Sequence, residues 1–235
     1  MAEYLDVLRS EKKYPISAGV YYRLRAHLMQ TLKLDDFCDN AEGYLVRSLY
    51  FDSFTNRDFY EKEDGLECRK KIRLRSYGRG EPVKLEWKQK QGAFQRKRSL
   101  ILYEKDAHEL IEGRYRCLLN YNIPLAKEFY SYMVSEIYRP RCLVQYRRLA
   151  FVAPINDTRV TLDSNLHAHE GRFELFMQDP PLYPVIDQGR ATLEVKYNQF
   201  LPSYVKDIVS SFQLTEQAGS KYCAARKYGL GGVML

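Results

Sequence analysis

Residues 71–78 read KIRLRSYG, and how their alternation is read decides the fold. Side chains of a β-strand point to opposite faces in turn, so Ile72 and Leu74 share one face while Lys71, Arg73 and Arg75 share the other. Next-but-one neighbours on a face stand roughly 7 Å apart, close enough for three cations to repel one another. The segment is therefore a strand that needs an apolar layer on one side and negative charge on the other.

The same sorting extends along the chain. Arg69 joins the row of Lys71, Arg73 and Arg75, while Lys84, Glu86, Lys88 and Lys90 lie opposite Val83, Leu85 and Trp87. Tyr146 and Arg148 share a side in YRRLAF, as do Arg159, Thr161 and Asp163 in TRVTLD. In TLEVKYN, Thr192, Glu194, Lys196 and Asn198 oppose Leu193, Val195 and Tyr197. For any one strand the plain alternative is the solvent face of an antiparallel sheet. Solvent faces mix signs, however, because like charges directly opposite are destabilising, and these positions are mostly cationic. With helices over the apolar faces, the sheet closes around its charged faces and makes a polar tunnel in which a low effective dielectric strengthens each charge.

Arginine forks and lysine ammonium groups in such a tunnel suit phosphate oxygens. The carboxylates Glu11, Glu86 and Glu194 do not. They fit either a divalent metal that bridges phosphates or the neutralisation of nearby lysines; for Glu194, centred in LEVK, the metal is preferred.

Period-2 segments dominate elsewhere and fall into two sets. SEKKYPI predicts a short strand, after which Ser17 caps a helix running to about Leu32 with Val20, Leu24 and Leu28 on one face. GYLVRSLYFDS (43–53) is a strand, and Thr55 caps a helix that ends at Gly65. LECRKKIRLRSYG, PVKLEWKQKQG and AFQRKRSLILYE then form an antiparallel meander. Helices follow around 105–113 and from Pro124 to about Tyr138. The second set of strands is RCLVQYRRLAFV, TRVTLDS, RFELFM and ATLEVKYNQ, followed by a helix over 202–213 and another from Ser220. Eight or nine mostly antiparallel strands with inserted helices define an α+β chain whose sheet closes as a barrel.

Composition narrows the partners. The 235 residues form one domain, 1–235, with the C-terminal GLGGVML as a flexible end. Lys and Arg number 37 against 30 Asp and Glu, a net charge of +7 that favours a polyanion. The five cysteines form no CxxC pair, which points away from a zinc site or a disulfide framework. The start of the chain lacks a signal-peptide core, and no apolar run approaches the ~18 residues of a membrane span, so a cytoplasmic location is expected. His167 and His169 alternate like a metal pair but lack a third ligand, and read as a surface turn.

EKKYP, KIRLRSYG, KLEWKQK, YRRLAF, TRVTLD, TLEVKY and SKY, in that order, resemble the VTC (vacuolar transporter chaperone) polyphosphate polymerase domain, a branch of the triphosphate tunnel metalloenzymes. The resemblance runs from about Glu11 to Tyr228. It implies a closed eight-stranded antiparallel barrel with helices outside, whose tunnel binds ATP with Mn²⁺ or Mg²⁺ and extends polyphosphate. It also implies that Lys13, Arg73, Arg75, Lys88 and Arg148 act in catalysis. Phosphate ligands would be Lys84, Lys97, Tyr146, Arg159, Lys196, Ser220 and Lys221. Glu194 would bind the metal, with Glu11 and Glu86 as further candidates. Lys97 competes for its place with Arg96 and Arg98. Hydrolytic tunnel enzymes begin with ExExK, and here those positions hold Arg9, Glu11 and Lys13, which shifts the balance towards the polymerase branch.

Phosphoryl transfer needs positioning and charge more than a protein nucleophile, so these residues suffice for it. Hydrolysis of triphosphate is the competing enzymatic reading. A polyanion-binding module without turnover is the third, with nucleic acid disfavoured because the 20 tyrosines are dispersed and do not line a basic strip. A membrane-bound partner stays open.

Overall fold

The computed structural model describes residues 4–78, 82–92, 94–187 and 189–229. The stretch after Gly229, read above as a flexible end, lies outside them. In chain order the elements are β1 (Tyr4–Ser17), α1 (Ala18–Thr31), β2 (Lys33–Leu34), β3 (Tyr44–Asp52), α2 (Arg57–Glu63), β4 (Arg69–Ser76), β5 (Val83–Gln91) and β6 (Phe94–Leu102). Then come α3 (Glu104–Ile111), α4 (Pro124–Ser135), β7 (Arg139–Ala153), β8 (Thr158–Glu170), β9 (Tyr183–Pro184), β10 (Arg190–Tyr197), α5 (Ser203–Ser210) and α6 (Lys221–Gly229).

The strands pair antiparallel in the order β7-β3-β4-β5-β6-β1-β10-β8, and β8 pairs back onto β7. Eight strands thereby close a barrel, and the two-residue strands β2 and β9 hang on its edges. The short strand expected at SEKKYPI extends to 14 residues because β1 serves two partners in series: residues 4–9 pair with β6 and residues 10–17 with β10.

Helices cover the apolar faces. Leu85, Trp87 and Leu100 pack with Leu110 of α3 and Leu125, Phe129 and Met133 of α4. On the other side, Leu24 and Leu28 of α1 and Val205 and Val209 of α5 pack over Leu162, Leu193 and Val195. Removing this much apolar surface from water, at about 25 cal/mol per Å², lets the polar faces turn inward.

Gly43 adopts φ +70° just before β3, and a Cβ there would overlap the carbonyl oxygen of Arg148 on β7. Only glycine permits both the left-handed backbone and that approach.

Some expectations fail for identifiable reasons. RFELFM is not a strand: Arg47 donates to the carbonyls of Leu175, Met177 and Gln178, so a side chain satisfies that backbone where a neighbouring strand would have done so. Thr55 does not cap α2. The Arg57 N–H is taken by Ser53 Oγ at 3.0 Å, and the Asp52 carboxylate accepts from the N–H groups of Asp58 and Phe59 at 2.9 and 3.0 Å. The 124–138 helix stops at Ser135, with Ile137 at φ +49°. His167 and His169 stand on β8 instead of in a turn, and the His169 ring packs against Tyr183. At α1, Ser17 Oγ accepts from Val20 N–H at 3.4 Å, as the sequence predicts. No helix among the described residues is long and apolar enough to cross a membrane.

Candidate active site: a cationic tunnel over buried carboxylates

The parity of β4 aims its cations into the barrel. Arg73 and Arg75 are only 7% and 5% exposed, so each needs a partner inside. Arg73 stands opposite Glu86 and donates to it from Nε at 2.7 Å. It also reaches the Tyr50 hydroxyl at 2.9 Å. Arg75 donates to the Tyr146 hydroxyl at 3.0 Å and to Ser48 Oγ at 3.2 Å. Lys97 reaches the second oxygen of Glu86 at 3.3 Å. Burial works against ionisation of Glu86, but Arg73, Arg75 and Lys97 overcome it and hold its carboxyl well below the usual range.

A second carboxylate group forms where β1, β10, β8 and β7 meet. Lys13 lies opposite Glu194, Glu11 opposite Lys196, and Arg148 opposite Asp163. Arg148 donates to both Asp163 oxygens at 2.7 Å and to Glu194 at 3.2 Å. Lys221, on the first turn of α6, reaches Glu194 at 2.8 Å and Asp163 at 2.6 Å. Burial opposes charge on Glu11 and Glu194 too, yet the surrounding lysines depress both carboxyls strongly. Burial pulls Lys196 the other way, to about 8, against the attraction of Glu194 and Glu11.

The carboxylates answer the cationic face unevenly: Lys97 reaches Glu86 at 3.3 Å and Lys88 reaches Glu11 at 3.6 Å, while Lys71 donates to Ser220 Oγ. Lys71 stands directly opposite Lys88, and Lys88 directly opposite Lys97, so three lysines form one cross-strand row on the tunnel wall. Burial, reinforced by neighbouring cations, depresses all three ammonium groups: Arg73, Lys13 and Lys196 act on Lys88, Lys13 and Lys62 on Lys71, and Arg75 and Arg73 on Lys97. Like charges opposite one another destabilise a sheet, and an anion placed among them relieves that repulsion.

Of the residues singled out from sequence, Lys13, Arg73, Arg75, Lys88, Lys97, Tyr146, Arg148, Arg159, Glu194, Lys196, Ser220 and Lys221 line this one cavity. Lys84 sits at a strand end with its ammonium over the Tyr77 ring, outside the lining. The three candidates in QRKR separate by parity. Lys97 faces the tunnel, Arg96 pairs with Asp6 on the surface, and Arg98 lies over Trp87 and pairs with Glu128.

Asp163, Lys71, Tyr50 and Tyr77 were given no role from sequence. Asp163 and Lys71 sit at the right parity in the quoted strands, and Tyr77 extends the 71-73-75 row. Tyr50 is hidden by the apolar run of β3.

A hard divalent ion fits one place in this arrangement. Glu11 Oε1 is buried without a hydrogen-bond partner, with the ammonium groups of Lys13 and Lys196 at 3.3 and 3.8 Å. Both lysines also approach Glu194, at 3.8 and 2.5 Å, so the two carboxylates border one small space. Oxygen donors of this kind suit Mg²⁺ or Mn²⁺ when phosphate oxygens and water complete the shell. Among the described residues no group of three or more His, Cys, Asp or Glu forms a self-sufficient metal site. Glu86 has both oxygens engaged by Arg73 and Lys97, and Glu194 has both engaged by Lys196 and Lys221, so an ion at Glu194 would displace a lysine whereas Glu11 Oε1 is the oxygen without a hydrogen bond.

The VTC domain family model matches residues 8–229, and the chain belongs to that family. Two solved structures share its fold, each described as a "putative adenylate cyclase". The one from Bacillus halodurans has a TM-score of 0.58 and 12% identity, over 92% of this chain and 95% of that one. The one from Vibrio parahaemolyticus has a TM-score of 0.50 and 12% identity, over 92% and 94%. No curated protein matches the sequence.

Proposed function

We propose that this VTC-domain protein is a metal-dependent polyphosphate polymerase that transfers the γ-phosphate of ATP to a growing polyphosphate chain inside the tunnel. The observation that carries the reading is the row Lys71, Lys88 and Lys97, where like charges face one another in an enclosed barrel. Membership of the VTC family supports it.

In this reading Arg73, Arg75, Lys88 and Arg148 grip the triphosphate, and Lys13, Lys97, Lys196, Arg159, Ser220 and Lys221 extend the cage, with Lys84 at its mouth. Tyr146 orients Arg75 through its hydroxyl. Glu86 acts as the fixed counter-ion of Arg73. The terminal phosphate oxygen of the growing chain attacks the γ-phosphorus, the bond from that phosphorus to the bridging oxygen breaks, and ADP leaves with the electron pair. The cations offset the charge spread over the equatorial oxygens. Glu194 and Glu11 would hold Mg²⁺ or Mn²⁺, which supplies further charge neutralisation when bound.

The test is product analysis after incubation with ATP and Mn²⁺, beside Glu194→Gln. A polymer ladder in the wild type, lost in the variant, is the expected result. Orthophosphate without polymer favours hydrolysis, and equal polymer from both proteins removes the metal role of Glu194.

A further inference from the structure

Among the described residues the side chains that bring a hydroxyl to the tunnel lining are Tyr50, Tyr77, Tyr146 and Ser220. They differ in what stands next to them. The Tyr50 and Tyr146 hydroxyls accept from Arg73 and Arg75, guanidinium groups that keep their protons in a protein. Tyr77 has its cations, Arg75 and Lys84, over the ring face. Ser220 Oγ is met directly by the side-chain nitrogen of Lys71, a group that can lose and regain a proton.

β4 and α6 bring this pair together from distant parts of the chain. Lys71 lies on the inward face of β4, and Ser220 stands just before α6, where its Oγ accepts from the Cys223 N–H at 3.2 Å and its carbonyl from the Ala224 N–H at 2.9 Å. The approach to α6 is tied to β1: the Gln217 N–H donates to the Lys13 carbonyl at 2.9 Å, and the Lys13 ammonium donates to the Gly219 carbonyl at 3.2 Å. Ser220 is thereby held in place with its oxygen in the phosphate cavity.

Lys71 also differs from the other lysines of its row. Lys88 and Lys97 each reach a carboxylate, at 3.6 and 3.3 Å, whereas Lys71 meets Ser220 Oγ, Cys223 Sγ at 3.9 Å and the Tyr222 ring at 5.8 Å. Burial works against its charge and outweighs the attraction of Cys223 and Tyr50, while Lys13 and Lys62 add to the depression. A lysine so placed gives up its proton more readily than an exposed one, and its free amine can then accept the hydroxyl proton of the serine beside it.

We infer that Ser220 is a self-phosphorylation site, with Lys71 as its base, used when ATP occupies the tunnel and no polyphosphate acceptor is present. Ser220 Oγ attacks the γ-phosphorus and its proton passes to the Lys71 amine. The bond from that phosphorus to the bridging oxygen breaks, and ADP leaves with the electron pair. The phosphoserine then stands at a helix N-terminus beside the ammonium groups of Lys71 and Lys13, which favours its charge. It fills a phosphate position of the tunnel and so weakens the binding of free condensed phosphate. The inference rests on the ATP-using reading above and adds a covalent acceptor and a self-limiting state.

The full chain incubated with ATP and Mn²⁺, without polyphosphate, tests it by intact-mass measurement and peptide mapping. The expected result is the gain of one phosphoryl group, located on Ser220 of the wild type, a finding that depends on no variant folding. Lys71→Arg keeps the charge but cannot take the proton, and should acquire the group on the order of a hundredfold more slowly. Tripolyphosphate titrated into the modified protein should bind about tenfold more weakly or worse than into the unmodified protein. Polymer formed while Ser220 stays unmodified, or phosphate found on another residue instead, overturns the site and leaves the polymerase reading standing. Modification of Lys71→Arg at the wild-type rate overturns the role of Lys71, and undiminished tripolyphosphate affinity overturns the self-limiting state. A wild type that neither turns over ATP nor gains phosphate overturns the inference together with the reading beneath it.

Discussion

Arg148 and Asp163 stand directly opposite each other on β7 and β8 and are joined by two hydrogen bonds of 2.7 Å, both side chains buried inside the barrel. The pair fixes the planar guanidinium at the junction of four strands, where it also touches Glu194. Removing one member leaves the other charge buried with one remaining partner, Glu194 for Arg148 or Lys221 for Asp163. Asp163→Asn should cost about 3 kcal/mol in urea unfolding, whereas Arg148→Met with Asp163→Leu should cost less than the sum of the two single changes. Additive losses would show that the pair is not coupled.

Asp58 sets a pH dependence unrelated to the tunnel. Burial and the neighbouring Asp52 push its carboxyl from 3.8 up to about 8, and it accepts a 2.8 Å hydrogen bond from the Tyr138 hydroxyl. Between those values the folded state holds a proton that the unfolded chain has released. This contribution is therefore fully present below about pH 4 and is lost as pH rises to about 8. Asp58→Asn, which keeps the acceptor for Tyr138, should flatten this part of the pH-stability curve and raise stability at pH 8, on the order of 2–4 kcal/mol. Calorimetric melting across the range decides; an unchanged slope contradicts the assignment.

Gly43→Ala combines a left-handed backbone with overlap on the Arg148 carbonyl, so it should lower stability by about 2 kcal/mol or more. Because β7 would shift at Arg148, tripolyphosphate affinity should fall in the same variant. Thermal melting and titration check both parts. Wild-type values for either would mean that the β3–β7 contact is slack.

The QRKR segment yields a three-way test. Lys97→Met should weaken tripolyphosphate about tenfold or more, because it removes a charged phosphate contact from the tunnel wall. Arg96→Ala should leave affinity unchanged. Arg98→Ala should lower stability by about 1 kcal/mol through lost contact with Trp87 and Glu128, again without effect on affinity. A larger affinity loss for Arg96 or Arg98 than for Lys97 would reverse the facing given to this strand.

The barrel was legible because strand parity is a local property: KIRLRSY and LEVKY each separate an apolar face from a charged one without reference to any neighbour. Which charge faces which is set by register, and register depends on the whole sheet. The opposition of Lys71, Lys88 and Lys97 was thus invisible, as was Asp163 as the partner of Arg148. Tyr50 escaped because β3 is apolar on both faces along much of its length, which erases the alternation. RFELFM looks like a strand because its pattern is right; only Arg47, more than a hundred residues away in sequence, shows that its carbonyls have another donor. Thr55 lost its capping role to Ser53 and Asp52, two equally suitable acceptors a few residues earlier.

Lys88 offers the most direct test of the claim that the tunnel is built around a condensed phosphate. Its half-buried ammonium lies between Lys71 and Lys97 and is held well below the usual lysine range by desolvation, with Glu11 at 3.6 Å. Such a charge costs stability in the empty protein and is useful only when an anion arrives. Calorimetric titration of tripolyphosphate into the wild type and Lys88→Met, beside their melting temperatures, should show a variant at least as stable as the wild type and about 10- to 100-fold weaker in binding. Undiminished tripolyphosphate affinity in Lys88→Met would contradict the account.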